Sequence, residues 1–352
     1  MRIGLSYDLK ETMPLRQAGC DDALEEYDSP ETVGLIAASL EAEGHTVVML
    51  GGGKEFLENI LREKMDFVFN IAEGRGNYRS REAQVPSILE MLDIPYSGSD
   101  PQCLALCLDK PLTKKLVASA GVRTPKWRAV NAREELYEMD GFPFPAIVKP
   151  AYEGSSKGIR LTSVVEDSKQ AIEVIGTLLE KYQQQVMMEE FIMGDEVTLG
   201  ITGNSPPKVL GMMRILPKRR DGYFIYSLEV KRDYLDLVEY ECPARLESKV
   251  LQNLEASGLN AFRALGCRDF ARLDFRVSHE GVPYFLEINP LPGLGTHSDL
   301  VIMARELGWT HKELIAEVLN AALERYPPDR DPCPGSVAGH GQRITDTIKV
   351  CV

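Results

Sequence analysis

The chain has 352 residues, 44% of them hydrophobic and 26% charged, a composition that excludes collagen-like and wholly disordered proteins. Its length predicts two or three domains with sizeable cores. With 53 acidic against 40 basic residues the net charge is -13, which opposes non-specific binding to nucleic acid or anionic lipid, so an anionic ligand would need a locally basic site.

The N-terminus, Met1-Arg2-Ile3-Gly4-Leu5-Ser6-Tyr7-Asp8, meets charge too early for a secretory signal, and no run approaches the ~18 apolar residues of a membrane span. The seven cysteines, at 20, 103, 107, 242, 267, 333 and 351, form no CxxC pair, and their odd number suits reduced thiols. A cytoplasmic protein is expected. From there short apolar runs alternate with amphipathic stretches: Ile3 to Tyr7, Pro30 to Glu43, Thr46 to Leu50, Glu55 to Lys64 and Phe67 to Ile71. This βαβαβ rhythm predicts a parallel sheet. Ser29 can cap the first helix, Pro30 suits its first position, and Val33, Ile36, Ala37 and Leu40 share one face. Gly51-Gly52-Gly53 reads as the end of a strand, because a dinucleotide fingerprint needs GxGxxG and a helix behind it. Ile94 to Ser99 is turn-rich and closes a first domain at residues 1–98.

A second domain, 99–190, holds a predicted helix from Pro111 to Ala120 stopped at Gly121, a strand from Pro145 to Lys149, a helix from Asp167 to Leu179 and a strand from Val186 to Glu189. Within it lies the polar, glycine-bearing loop Lys149-Pro-Ala-Tyr-Glu-Gly-Ser-Ser-Lys-Gly158. Its free backbone N–H groups, hydroxyls and lysines can surround phosphate oxygens, although it is not a Walker A loop. A plain flexible surface loop is the alternative reading of these residues. A third domain, 191–327, carries strands near Val197 to Ile201 and Lys208 to Leu216, a helix near Ser248 to Leu265, a strand pair within Phe270 to Ile288, and a last helix announced by the capping box Thr310-His311-Lys312-Glu313. Residues 328–352, rich in Pro, Asp, Gly and Ser, are expected to be a mobile tail, and no internal repeat is found.

The strand pair is the most informative stretch. With a two-residue turn at Glu280-Gly281, Leu273 faces Ile288, Phe275 faces Leu286 and Val277 faces Tyr284, which makes one face apolar. The other face opposes Asp274 to Glu287 and Arg272 to Asn289. Opposed carboxylates repel unless a cation lies between them, and two acids with an amide oxygen suit magnesium that also binds phosphates. If both acids simply point to water, no metal is needed; the residues alone leave both readings open.

Taken in order, Pro95-Tyr-Ser-Gly-Ser99, Asp109-Lys110, Lys149-Pro with Glu153-Gly-Ser-Ser156, Glu189 to Glu196, Lys231, Cys242-Pro-Ala244, Arg272-Leu-Asp274 and Glu287-Ile-Asn289-Pro-Leu-Pro-Gly293 with His297-Ser298 resemble the ATP-grasp superfamily, and more closely its D-alanine–D-alanine ligase group. The resemblance covers residues 1–326 and is strongest after Tyr96. It implies an α/β (α+β) ATP-grasp fold, whose N-terminal parallel-sheet, central and C-terminal domains enclose ATP. It also implies an ATP-dependent ligase that joins two amino acids through an acyl phosphate and releases ADP and phosphate. By that resemblance Lys110, Lys149 and Lys231 contact ATP phosphates with Ser155 and Ser156 above them, Glu189 and the backbone near Ile192 hold adenine, and Glu196 holds ribose. Asp274, Glu287 and Asn289 bind magnesium or manganese, Arg272 and the Gly293 N–H stabilise the oxyanion, and Ser298 holds a substrate carboxylate. Amino acids are the expected partners, with a homodimer left open.

Four departures from the family pattern fall where substrates are expected. Tyr7-Asp8-Leu9-Lys10 and Asp21 to Asp28 replace the N-terminal glycine and Ser-x-Glu elements, and Asn70 to Gly74 with Arg81-Glu-Ala-Gln84 replaces a His-Gly motif. Asp299 stands where an apolar residue is usual, and Arg232 where an aromatic is usual. Arg232 is therefore expected beside the amino-acid pocket, selecting against a second ammonium, unless it instead pairs with Glu26 or Asp28. A non-catalytic ATP-binding relative, acting as a sensor or partner subunit, is the competing reading.

Overall fold

The computed structural model describes residues 1–13, 21–138, 141–219 and 222–327; the expected tail, 328–352, lies outside them. The chain begins with β1 (Arg2–Ser6), α1 (Pro30–Ala42), β2 (Thr46–Gly51), α2 (Gly53–Arg62) and β3 (Phe67–Asn70), which form a parallel sheet in the order β2-β1-β3. The local signals act as expected here: the Ser29 hydroxyl accepts from the Thr32 N–H at 3.3 Å, and α1 buries Val33, Ile36 and Leu40. Next come α3 (Gln84–Met91), α4 (Pro101–Leu108) and α5 (Lys110–Ser119). Asp100 and Asp109 cap the last two through the Cys103 and Leu112 N–H groups, at 2.8 and 3.0 Å.

The central layer is β4 (Trp127–Val130), β5 (Ala146–Pro150), β6 (Val164–Val165), α6 (Ser168–Tyr182) and β7 (Val186–Glu190). Its antiparallel sheet runs β4-β7-β5-β6. A second antiparallel sheet, ordered β10-β9-β8-β11-β12, follows from β8 (Gly194–Thr202), β9 (Lys208–Pro217), α7 (Leu228–Arg232), α8 (Tyr234–Leu237), β10 (Val238–Glu241), α9 (Ser248–Ala264), β11 (Phe270–Ser278) and β12 (Pro283–Asn289). Helices α10 (Asp299–Glu306) and α11 (His311–Leu323) end the fold, the latter with its full capping box. The mixture of one parallel and two antiparallel sheets is the α/β architecture expected. Among the described residues no helix is long and apolar enough to cross a membrane.

Of the apolar clusters among the described residues, the three largest show how the layers join. One joins Ile3, Leu5, Val33 and Phe67 of the first layer to Leu300, Met303, Leu314 and Val318 of α10 and α11. A second packs Cys103, Cys107 and Val117 of α4 and α5 against α9 and the sheet of β8, β11 and β12. A third, with Val130, Val148, Ile175 and Met188, belongs to the central layer, with Ala23 from the segment before α1 packed against it.

The β11–β12 register differs from the expected one in an instructive way. The turn has three residues, His279 to Gly281: Ser278 N–H donates to Val282 O at 2.9 Å, and Gly281 takes φ +75°, which a side chain would resist. Val277 therefore faces Pro283, not Tyr284, and Phe275 faces Phe285, not Leu286. A bulge then makes Leu286 an extra residue, after which Asp274 opposes Glu287, Leu273 opposes Ile288 and Arg272 opposes Asn289, as expected. The bulge turns Leu286 to the same side as Glu287, where both line a cleft.

Candidate active site

The cleft lies between the central sheet and the sheet of β8, β11 and β12. Its wall from β5 and β7 brings Lys149 and Glu189, and the segment after β7 brings Ile192; β8 and β11 bring Glu196, Arg272 and Asp274; β12 brings Glu287; Ser156 and Lys231 reach in from loop and helix. Lys110, Ser155, Asn289 and Gly293 line the space that continues from it, and Ser298 shares a third recess with Gly293. Arg232 lies outside all three. Its guanidinium donates to Glu25 Oε1 at 2.7 Å and to the Asp21 carbonyl at 2.8 Å, with the Asp21 carboxylate at 3.3 Å. The salt-bridge alternative for Arg232 thus matches the geometry, with Glu25 and Asp21 in place of Glu26 and Asp28, and the expected charge selection at the pocket loses its basis. Arg232→Tyr is accordingly expected to change rate while leaving the ranking of substrates the same, which a product assay over an amino-acid panel checks.

At the floor, Arg272 bridges three carboxylates: Asp274 at 2.9 Å, Asp299 at 3.4 Å and Glu287 at 3.8 Å. The Thr198 hydroxyl donates to Asp274 at 3.0 Å. Burial pushes the Asp274 carboxyl up, and Glu287 adds to the shift while Arg272 opposes it. Burial also raises Glu287, yet Lys110, Lys149, Arg272 and Lys231 together hold it well below the usual carboxylate range. Lys110 is 3.3 Å from Glu287 and also donates to the Glu153 carbonyl. Lys231 has no ion-pair partner among the described residues; burial, then Arg272, lowers its pKa, and its ammonium lies 5.2 Å from the centre of the Tyr226 ring. A buried ammonium without a partner favours a polyanion beside it.

Further up, Glu189 is fully buried between Lys149, at 2.8 Å, and Lys114, whose pKa burial pushes down to about 8. Glu189 is thus positioned by two lysines, a pairing absent from the sequence expectation, although Lys114 stands one helical turn after Lys110. Glu196 pairs with Arg276 at 3.4 Å, and Arg276 also lies 4.3 Å from the centre of the Phe191 ring. Arg276 could have been found, since it follows Arg272 and Asp274 at the strand's two-residue period. The loop of Ser155 and Ser156 takes left-handed backbone at both serines, φ 51° and 58°, and is fastened by Ser156 Oγ to Tyr226 O at 2.9 Å.

A family model described as D-ala D-ala ligase C-terminus matches residues 116–320. A D-alanine–D-alanine ligase of Aquifex aeolicus is 34% identical over 285 residues, 81% of this chain and 92% of that one. The chain belongs to the D-alanine–D-alanine ligase family. An uncharacterized protein of Sinorhizobium fredii is 35% identical over 302 residues, 83% of this chain and 87% of that protein. The structure of the Bacillus anthracis D-alanine–D-alanine ligase complexed with ATP superposes with a TM-score of 0.72 at 25% identity, covering 92% of this chain and 98% of that one. The ATP-grasp fold and an ATP-dependent carboxylate–amine ligase activity follow from this membership.

The family member described here adds a buried ionic cluster that sequence reading missed. Arg81 pairs with Glu26 at 2.7 Å and Glu153 at 3.4 Å, and Lys157 pairs with Glu153 at 2.6 Å and Glu26 at 3.3 Å. These residues come from three distant segments, so no local spacing signals them.

Proposed function

We propose that this ligase joins two amino acids in the cytoplasm, the first as an acyl phosphate, and that the cleft binds ATP with a divalent metal. The observation that carries the reading is the face of β11 and β12: Asp274 opposite Glu287, with Asn289 beside them, ringed by Lys110, Lys149, Lys231 and Arg272. The donor set fits magnesium or manganese, since it is two carboxylates and an amide oxygen on one sheet face. When bound there, the metal neutralises phosphate charge and orients the β- and γ-phosphates.

The chain's own groups supply the rest. Lys149 and Lys231, with Ser155 and Ser156 overhead, hold the phosphates; Glu189 and the backbone near Ile192 hold adenine, and Glu196 the ribose. The first substrate's carboxylate oxygen attacks the γ-phosphorus, the bond to the β-bridging oxygen breaks, and ADP leaves. The second substrate's neutral amine then attacks the acyl carbon, phosphate departs with the bonding pair, and the amine proton passes to solvent. Arg272 and the Gly293 N–H stabilise the oxyanion between these events. Ser298, at the N-cap of α10, makes no capping bond, so its hydroxyl remains available for a substrate carboxylate. A non-catalytic role is disfavoured because Arg272 and every proposed metal ligand are present.

Purified protein with ATP, magnesium and pools of amino acids is expected to release ADP and phosphate only when amino acid is added, and excess chelator is expected to abolish turnover. AMP and pyrophosphate as products would reject the acyl-phosphate route, and full activity in chelator would reject the metal.

A further inference from the structure

Between the first layer and the Gly293 loop lie two adjoining recesses beyond the phosphate cleft: Glu26 and Glu73 line both, Glu82 and Glu153 line the one beside Lys110, and Glu25, Asp28 and Asp299 line the one beside Ser298. Among the described residues the cations at or behind these walls are Arg81, Lys157, Arg75, Lys110, Arg272 and Lys231; all but Lys231, which also lines the phosphate cleft, are committed. Arg81 and Lys157 take Glu26 and Glu153, as described above. Arg75 is held by Asp8 at 2.9 Å, Lys110 by Glu287 at 3.3 Å, and Arg272 by Asp274 and Asp299. Asp28, Glu73 and Glu82 have no basic partner within ion-pair distance among the described residues.

Glu82 carries the argument furthest, because it is only 8% exposed, lines the recess beside Lys110 and makes no hydrogen bond or ion pair among the described residues. A buried carboxylate without a partner is costly, and half-buried Glu73, which lines both recesses, and half-buried Asp28 add like charge beside it. Burial pushes Asp28 and Glu82 each up to about 7, and raises Glu73 well above its ordinary range with Glu82 and Glu26 adding to it. The recess beside Ser298 is also lined by Tyr27, Tyr234 and Tyr240, with the Tyr234 and Tyr240 rings 6.1 Å apart. Tyrosine faces attract cations and add nothing to the binding of an anion.

We propose that one of the two substrates is a basic amino acid, whose side-chain amine or guanidinium sits against Asp28, Glu73 and Glu82. The α-ammonium of any amino acid answers one carboxylate; the remaining pair calls for a second positive charge on the same molecule. The inference rests on the ligase reading and narrows it. It reverses the preference that Arg232 suggested from sequence, because that arginine is turned away to Glu25 and Asp21.

The test is a panel with full-length protein, ATP and magnesium, supplying lysine, ornithine and arginine, alanine and serine, and aspartate and glutamate, in both configurations, singly and in pairs. Phosphate release and product mass are read. A pair containing a basic amino acid is expected to give kcat/KM at least about tenfold above alanine with itself, a difference of about 1.4 kcal/mol. In Glu73→Gln that ratio is expected to fall toward one, through a raised KM for the basic substrate. If neutral or acidic pairs are turned over and basic ones are not preferred, the proposal is wrong and the ligase reading stands. If no pair releases phosphate, the ligase reading fails and this proposal fails with it.

Discussion

Arg272→Met is expected to lower kcat by a factor of about 10² to 10³, the usual cost of removing one donor from an oxyanion site. The expectation follows from position: among the described residues Arg272 is the one cation that touches Asp274, Glu287 and Asp299 together. Methionine keeps the length of the stem and removes the planar fork. Arg272→Lys restores a charge without the fork, so it should recover binding more than turnover. Steady-state kinetics separates the two, since loss of an interaction made only in the transition state lowers kcat and leaves KM for ATP nearly unchanged. A thermal melt of each variant reports whether the three carboxylates, left without their arginine, have also weakened the fold.

Glu189→Gln is expected to destabilise the protein by about 3 to 5 kcal/mol, because it strands the ammonium groups of Lys114 and Lys149 in the interior. All three side chains are buried, with 0%, 0% and 5% exposed surface for Glu189, Lys114 and Lys149. The surrounding core offers no substitute acceptor for both: Lys114 keeps the Thr124 hydroxyl at 2.8 Å and the Phe285 carbonyl at 3.1 Å, while Lys149 keeps none that is charged except distant Glu287 and Glu196. Adding Lys114→Met to the Glu189→Gln variant should return part of the loss, since one of the two stranded charges is gone. Urea denaturation of the three proteins measures both effects. A loss below 1 kcal/mol for Glu189→Gln would show that the triad is not a structural fixture.

Local patterns made much of this fold readable before any coordinates. The first layer followed from periodicity with Ser29 and Pro30 as start signals, and α11 from its capping box. Helix α4 was missed although Asp100-Pro101 announces it, because Gln102 to Leu108 is apolar nearly all round and shows no face. Pro86 masked α3, yet it falls in the first turn, where the missing N–H costs nothing. The metal-face pairing was reached through two one-residue errors that cancel: the turn is a residue longer than assumed, and Leu286 bulges out to compensate. Periodicity fixes which face a residue takes only where no bulge intervenes. The gathering of Lys149, Ser156, Glu189, Ile192, Glu196 and Lys231 around one cleft was legible because each lies in a short motif. The acidic recess was not, because Glu26, Glu73, Glu82 and Glu153 meet only through the packing of three layers.

The partition of the three cores decides which part of this ligase can swing. The first layer cannot rotate away from the last, for Ile3 and Val33 share one apolar interior with Met303 and Val318. Arg325 adds a bolt across the same seam, donating to Tyr96 O at 2.7 Å and to Asp269 at 2.7 Å. The central layer has its own interior, and its loop meets the first layer through polar latches: Gly158 N–H to Asp22 at 2.9 Å, Tyr182 hydroxyl to Asp22 at 2.6 Å and Arg160 to Asp21 at 2.6 Å. Letting nucleotide in and out therefore means unfastening charges and hydrogen bonds that water can replace, without tearing open an apolar core. The jaw that carries Lys149 and Ser155 is therefore the part expected to move against the anvil that holds Asp274 and Glu287.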